Sequence, residues 1–289
     1  MGGIIGIVCI FVMVFGGYMA AGGKLGIILG SLPFEMTMIG GAAVGAFLIA
    51  NDMPSVKHTL GDVKKVFKGA HWETKDYSDV LCLMFALIRI ARQNPVELEE
   101  HIENPSESSL FGEYPKIQSD KDSVELICDT LRSASMNYDD PHQVEEVLEK
   151  RIEEKLHHAQ HSSHALQMMA DGLPALGIVA AVLGVIKTMA SIDQPPEVLG
   201  GMIGGALVGT FLGVFLAYGI VGPFATKVGA VVDEDQNFYR LIREVLVASL
   251  HNHAPNICVE VGRQNTPARF RPSFNDLDEL LRAMKAAPS

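Results

Sequence analysis

GLPALGIVAAVLGVI, Gly172 to Ile186, is the stretch on which the fold turns. It is apolar or small throughout, with Pro174 near its start, Asp171 just before it and no ionisable side chain until Lys187. A bilayer core about 30 Å thick needs roughly 20 mostly apolar residues in a helix. Continued to 192, the segment meets that length. Three other runs, Met1 to Gly23, Met36 to Asn51 and Val198 to Thr226, carry no charge at all. Four spans follow, near 3–22, 33–51, 172–192 and 198–222. The second reaches full length only when Leu32, Pro33 and Phe34 are counted, which leaves Glu35 at the membrane interface and no carboxylate at mid-membrane in any span. The first span lacks a basic n-region and is longer than a signal-peptide core, so it is expected to be retained.

Outside these runs the 289-residue chain is polar and acidic, although 48% of it is hydrophobic and its mean hydropathy is +0.22. Of 23 Lys and Arg, 13 lie in 52–170 and 8 in 223–289. Basic residues near the membrane mark the cytoplasmic side. Lys57, Lys64, Lys65 and Lys68 follow the second span and Lys227 the fourth, whereas the turns 23–32 and 193–197 are nearly free of them. This predicts an inner-membrane protein with both termini, a large loop and the tail in the cytoplasm. The expected parts are a first membrane hairpin (1–51), a helical cytoplasmic domain (52–171), a second membrane hairpin (172–222) and a cytoplasmic tail (223–289). The fold class is an all-α integral membrane protein. The loop carries 22 acidic against 13 basic residues, which argues against nucleic acid as a partner. The four cysteines suggest no disulfide framework.

Within the loop, YSDVLCLMFALIRIAR (77–92) is apolar on every face and should pack inside a helical bundle. VELEEHIENP ends a helix before Pro105. Asp140-Pro141 starts another, with an N-cap and a first-turn proline, and nothing breaks it before Gly172. One long helix should therefore run from the cytoplasm into the third span.

There is no phosphate-binding loop, nucleophile elbow or HExxH, so neither an enzyme nor a cofactor is expected. His157, His158, His161 and His164, with Glu153 one turn earlier, have metal-ligand spacing, but a solvated helix face is the preferred reading and no metal is expected. Gly201, Gly205, Gly209 and Gly213 form a stripe that lets helices approach closely, either within the subunit or against other copies or a partner helix. Pro174, Ala181 and Thr188 recur at intervals of seven on the third span. Pro174 and Pro223, at the inner ends of adjacent spans, either hinge or simply shape helix ends. Ion-coupled proteins usually keep an intramembrane acid or base; here it would have to come from a partner chain.

The order of GGYMAAGGKLG, IENPSESSLFGEYP, GLPALGIVAAVLGVIKTM, LVGTFLGVFLAYGIVGPFAT and RPSFNDLDELLRAMK resembles the flagellar stator A subunits (motility protein A) over nearly the whole chain. The third and fourth spans are also similar to the wider ExbB and TolQ group of outer-membrane energisers, which remains the alternative function. The resemblance implies a pentamer around a dimer of one-span B subunits, each with an ion-binding aspartate and a peptidoglycan-binding domain. It implies torque delivered to the rotor protein FliG through charged side chains. It places the rotor contact on Arg92 and on Glu99, with Glu97 and Glu100 as neighbouring alternatives because the interval to the IENP box is one residue shorter here. It assigns the ion pathway and hinge to Pro174, Pro223, Ala181 and Thr210. Sodium-type members have a threonine where this chain has Ala181, so proton coupling is expected.

Overall fold

The computed structural model describes residues 2–135 and 140–286, and every regular element among them is a helix. In chain order these are α1 (Gly2–Ala20), α2 (Leu25–Ala50), α3 (Met53–Asp62), α4 (Lys65–Lys68), α5 (Thr74–Gln93), α6 (Pro95–Glu103), α7 (Ser109–Gly112) and α8 (Pro115–Ser119). Then come α9 (Lys121–Ser135), α10 (Pro141–Met189), α11 (Pro196–Leu250), α12 (Pro255–Asn265) and α13 (Phe274–Ala286). The helices α1, α2, α10 and α11 are long and apolar enough to cross a membrane. The chain forms two compact units, one of residues 1–69 with 159–231 and one of 70–158 with 232–289.

In the first unit the expected spans are present, with one boundary moved. α2 starts at Leu25, not at 33, because LGIILG offers nothing to stop a helix and Pro33 is accommodated inside it. Proline removes one backbone donor. The helix widens to a π turn over Met36–Gly40, and the Thr37 hydroxyl donates to the Pro33 carbonyl at 2.8 Å. Glu35 consequently lies well inside the helix and is buried. α11 carries a similar π turn over Leu216–Val221 and continues through Pro223 to Leu250, so Pro223 does not end it. Pro174 likewise sits inside the 49-residue α10.

Burial separates the roles of the spans. None of the most apolar window of α1 is buried, against 39% for α11. α11 is the central wall and α1 leans on it through rings: Phe11 and Phe15 meet Phe215 edge-on at 5.4 and 5.5 Å, and Phe15 meets Phe211 at 6.0 Å.

The second unit has a dense apolar core. Glu73 and Asp76 form a capping box at the start of α5, two reciprocal bonds that satisfy otherwise orphaned donors. Leu81, Leu83, Met84, Leu87 and Ile88 are then completely buried. Trp72 stacks on Phe238 at 3.8 Å and Tyr77 on Phe270 at 5.0 Å. Loop and tail, far apart in sequence, thus share one core. α10 starts at Asp140-Pro141 as expected, with the His142 amide donating to Asp140 Oδ1 at 3.0 Å.

Candidate functional site

The α10–α11 pair is built on glycine. A Cβ on Gly213 would stand 2.7 Å from the Leu173 carbonyl oxygen and 2.8 Å from Gly177 Cα. One on Gly177 would meet the Gly209 carbonyl oxygen at 2.9 Å. One on Gly184 would be 2.6 Å from Ala206 Cβ. These are backbone-to-backbone approaches that only small residues permit. On its other side α11 packs against α2: a Cβ on Gly205 would meet Ser31 Oγ at 2.8 Å, and one on Gly209 would meet Glu35 Oε2 at 2.6 Å. Gly205, Gly209 and Gly213 therefore pack within the subunit, while Gly201 faces open space.

Pro174 and Pro223 both stand along the α10–α11 seam, Pro174 beside the Leu173–Gly213 contact and Pro223 ten residues further along α11. Proline at 174 leaves the Ala170 carbonyl without its helical donor, and proline at 223 does the same for Gly219. Ala170 Cβ lies 4.0 Å from where a Cβ on Gly222 would stand. Pro174 and Ala181 are half-buried and Thr188 is buried, its hydroxyl donating to the Gly184 carbonyl at 2.9 Å. Thr210 is half-buried on α11. Ile178, Val179, Val182, Val185 and Ile186 leave the rest of the α10 span exposed and apolar.

Sequence reasoning missed Glu35. The residue is 5% exposed, and among the described residues its Oε2 has no hydrogen-bond partner. It borders a cleft of about 660 Å³ together with Ser31, Lys187, Gly201, Gly205 and Ala206. A carboxyl in such a place is costly unless paired. The signal was present in LGIILG, which extends the span by a full two turns; counting from Pro33 concealed it.

The charged candidates lie in the second unit. Arg92 is exposed in the last turn of α5 and its Nη2 donates to the His253 carbonyl at 2.5 Å. Glu97, Glu99 and Glu100 are exposed on α6. Glu97 accepts from Asn94 at 3.2 Å, and among the described residues no ion pair joins Arg92 to any of the three. His157, His158, His161 and His164 are all exposed along α10, and among the described residues they form no metal-ligating group.

Residues 4–95 match the family model described as Motility protein A N-terminal, and 120–240 match that of the MotA/TolQ/ExbB proton channel family. The chain is 37% identical to Motility protein A of Salmonella typhimurium over 98% of its own length and 95% of the relative's. It is 35% identical to Chemotaxis protein LafT of Vibrio parahaemolyticus, over 96% of this chain and 97% of that one. The chain belongs to the motility protein A family. Its fold is similar to that of C. jejuni MotAB, with a TM-score of 0.73 at 18% identity over 94% of this chain and 98% of that one. The flagellar MotAB stator complex from Bacillus subtilis gives 0.69 at 21% identity, over 96% and 98%. Membership in this family gives the uncharged α10 wall a context, since the family's wider model is that of a proton channel. The N-terminal match, 4–95, is to a model described as that of motility protein A alone, which favours this family over the ExbB and TolQ alternative.

Proposed function

We propose that this protein is the A-type stator subunit of a flagellar motor. With a one-span B subunit it forms a proton-conducting channel in the inner membrane and converts ion-motive force into torque. The observation that carries this is the α10–α11 pair, apolar and glycine-locked on one side and exposed, apolar and charge-free along α10 on the other. An exposed apolar face of that extent calls for lipid or helices of other chains, and a charge-free wall leaves the titrating group to a partner helix. Structures titled as MotAB complexes favour that partner. Five copies around a B dimer would line the channel with Ala181 and Thr210, with Pro174 and Pro223 as the hinge.

The second unit is the cytoplasmic part in this reading, with both termini inside. Arg92 and Glu99 meet the rotor protein FliG there. Exposed ion pairs contribute about 0–1 kcal/mol each, which suits contacts that form and release at every step. With Ala181 in place of a hydroxyl, a dehydrated sodium ion lacks one oxygen ligand, so the coupling ion is the proton.

The test is to purify the chain in mild detergent and identify what accompanies it. A one-span protein with an intramembrane aspartate and a peptidoglycan-binding domain is expected. A partner with a transport-type periplasmic domain would move the function to outer-membrane energisation, and the absence of any partner would end the channel reading. Motility that followed external sodium and ignored proton uncouplers would overturn the ion assignment.

A further inference from the structure

The second unit brings together His142, Glu145 and His251, one ligand atom from each lying within 4.8 Å of the other two. His142 and Glu145 stand in the first turns of α10, and His142 Nδ1 is 3.9 Å from the Glu145 carboxylate. His251 follows the last residue of α11, and its ring lies 5.5 Å from that of His142. We propose that these three side chains bind a divalent ion of the zinc type, joining the start of α10 to the end of α11. The assignment is independent of the flagellar reading.

Three features of the structure support it. The donor set is two imidazoles and one carboxylate, which suits zinc and its first-row neighbours better than calcium or magnesium. Zinc bonds of about 2.0–2.2 Å require the donor atoms to draw closer by roughly 1 Å. His142 and His251 are exposed and Glu145 half-buried, so small side-chain rotations suffice, and water completes the shell.

The ligands also sit on fixed backbone. The Asp140 cap holds the first turn of α10. At the other end, Asn252 adopts a left-handed φ of 60°, its amide donates to the Ser249 carbonyl and the His253 amide to that of Ala248. That is the pattern of a Schellman cap, and it fixes the direction in which His251 leaves the helix. The neighbouring His253 ring is 6.2 Å from His251, and its carbonyl receives Arg92. An ion here would therefore steady the turn on which Arg92 rests.

The experiment uses the full chain in detergent, stripped with a chelator and carrying no polyhistidine tag. Cobalt(II) is titrated as the optical probe and zinc is then added as competitor. The expected result is one cobalt per chain with visible d–d bands that zinc removes, and a zinc-dependent rise in Tm. His142→Ala with His251→Ala should abolish both, by more than the ~10–100-fold loss that an outer partner costs, while leaving the Tm of the metal-free chain unchanged. His157→Ala with His161→Ala should keep both. A flat titration of the wild-type chain, equal binding by the His142/His251 variant, or loss in the His157/His161 variant would each overturn the proposal.

Discussion

Replacing Gly213 by alanine tests the glycine-locked pair directly. The new Cβ would stand 2.7 Å from the Leu173 carbonyl oxygen and 2.8 Å from Gly177 Cα, both backbone atoms that no rotamer change can move. Reaching the 3.4 Å of an ordinary contact requires the helices to part by about 0.7 Å. A gap of that size forfeits roughly a quarter to a half of each dispersion contact along the seam. Overpacking of this kind costs about 1–3 kcal/mol. Gly201→Ala is the matched control, because a Cβ there meets nothing within 4 Å. Both substitutions gain the same helix propensity, about 1 kcal/mol, so that term cancels between them. Thermal denaturation of the monodisperse protein in detergent should place Gly213→Ala below Gly201→Ala by roughly 2–12 °C. Equal melting temperatures would refute the claim that this seam is closed by glycine. If Gly201→Ala melts normally but fails to assemble, the open end of the stripe is the face that meets other chains.

Four further outcomes are expected. Glu35→Leu removes a buried, unpartnered carboxyl and should stabilise the isolated chain by about 1–3 kcal/mol in the same melting assay; a destabilised variant would mean that Glu35 has a partner in the folded subunit. Pro174→Ala restores the donor to the Ala170 carbonyl and should lower swimming speed while membrane insertion and copurification of the partner persist; a fully motile strain would remove the hinge. Burial pushes the Cys82 thiol up to about 11 and the Cys128 thiol up to about 12, so at pH 8 only about one Cys82 in a thousand is the reactive thiolate, and a disulfide reagent should modify both only after denaturation; rapid modification of the native protein would contradict their burial. The bonds from Arg263 hold Glu260 below the ordinary glutamate value; its contribution is present above that value and lost as pH falls through the folded one, so Glu260→Gln should flatten the acid limb of the stability curve measured by denaturation from pH 6 to 3.

The spans were legible because lipid imposes one demand, an apolar run of sufficient length, and the sequence meets it four times, interrupted only by Glu35 in the second and Lys187 in the third. α5 was legible for the same reason, since 77–92 has no polar face and the structure buries it accordingly. Glu35 was not, because proline was read as a boundary. Whether proline ends a helix depends on the turns around it, and α2 runs on past Pro33 into a π turn, with the Thr37 hydroxyl on the Pro33 carbonyl, which no local pattern announces. The stripe at 201–213 showed that close packing would occur but not with what; the answer depends on α2 supplying Ser31 and Glu35 at the right height. The cluster of His142, Glu145 and His251 was invisible for a simpler reason. His251 lies more than a hundred residues from His142 and Glu145 in sequence, whereas the row at 157–164 is local.

The prolines and the glycines share one seam, and this joins packing to motion. Pro174 follows Leu173, whose carbonyl is the atom against which Gly213 packs. Ala170, whose carbonyl Pro174 frees, lies against Gly222, the neighbour of Pro223. Each helix thus has a softened turn along the seam that the glycines close. Two helices bending independently would open that seam and lose its contacts. Bending together keeps them. The seam therefore selects a joint motion of α10 and α11, and both helices continue unbroken past their prolines, α10 back to Pro141 and α11 on to Leu250. A protonation event beside the channel wall that tilts one helix would then tilt both. Gly213→Ala should consequently reduce torque more than it reduces partner binding, because a loosened seam still presents the wall but no longer moves as one piece.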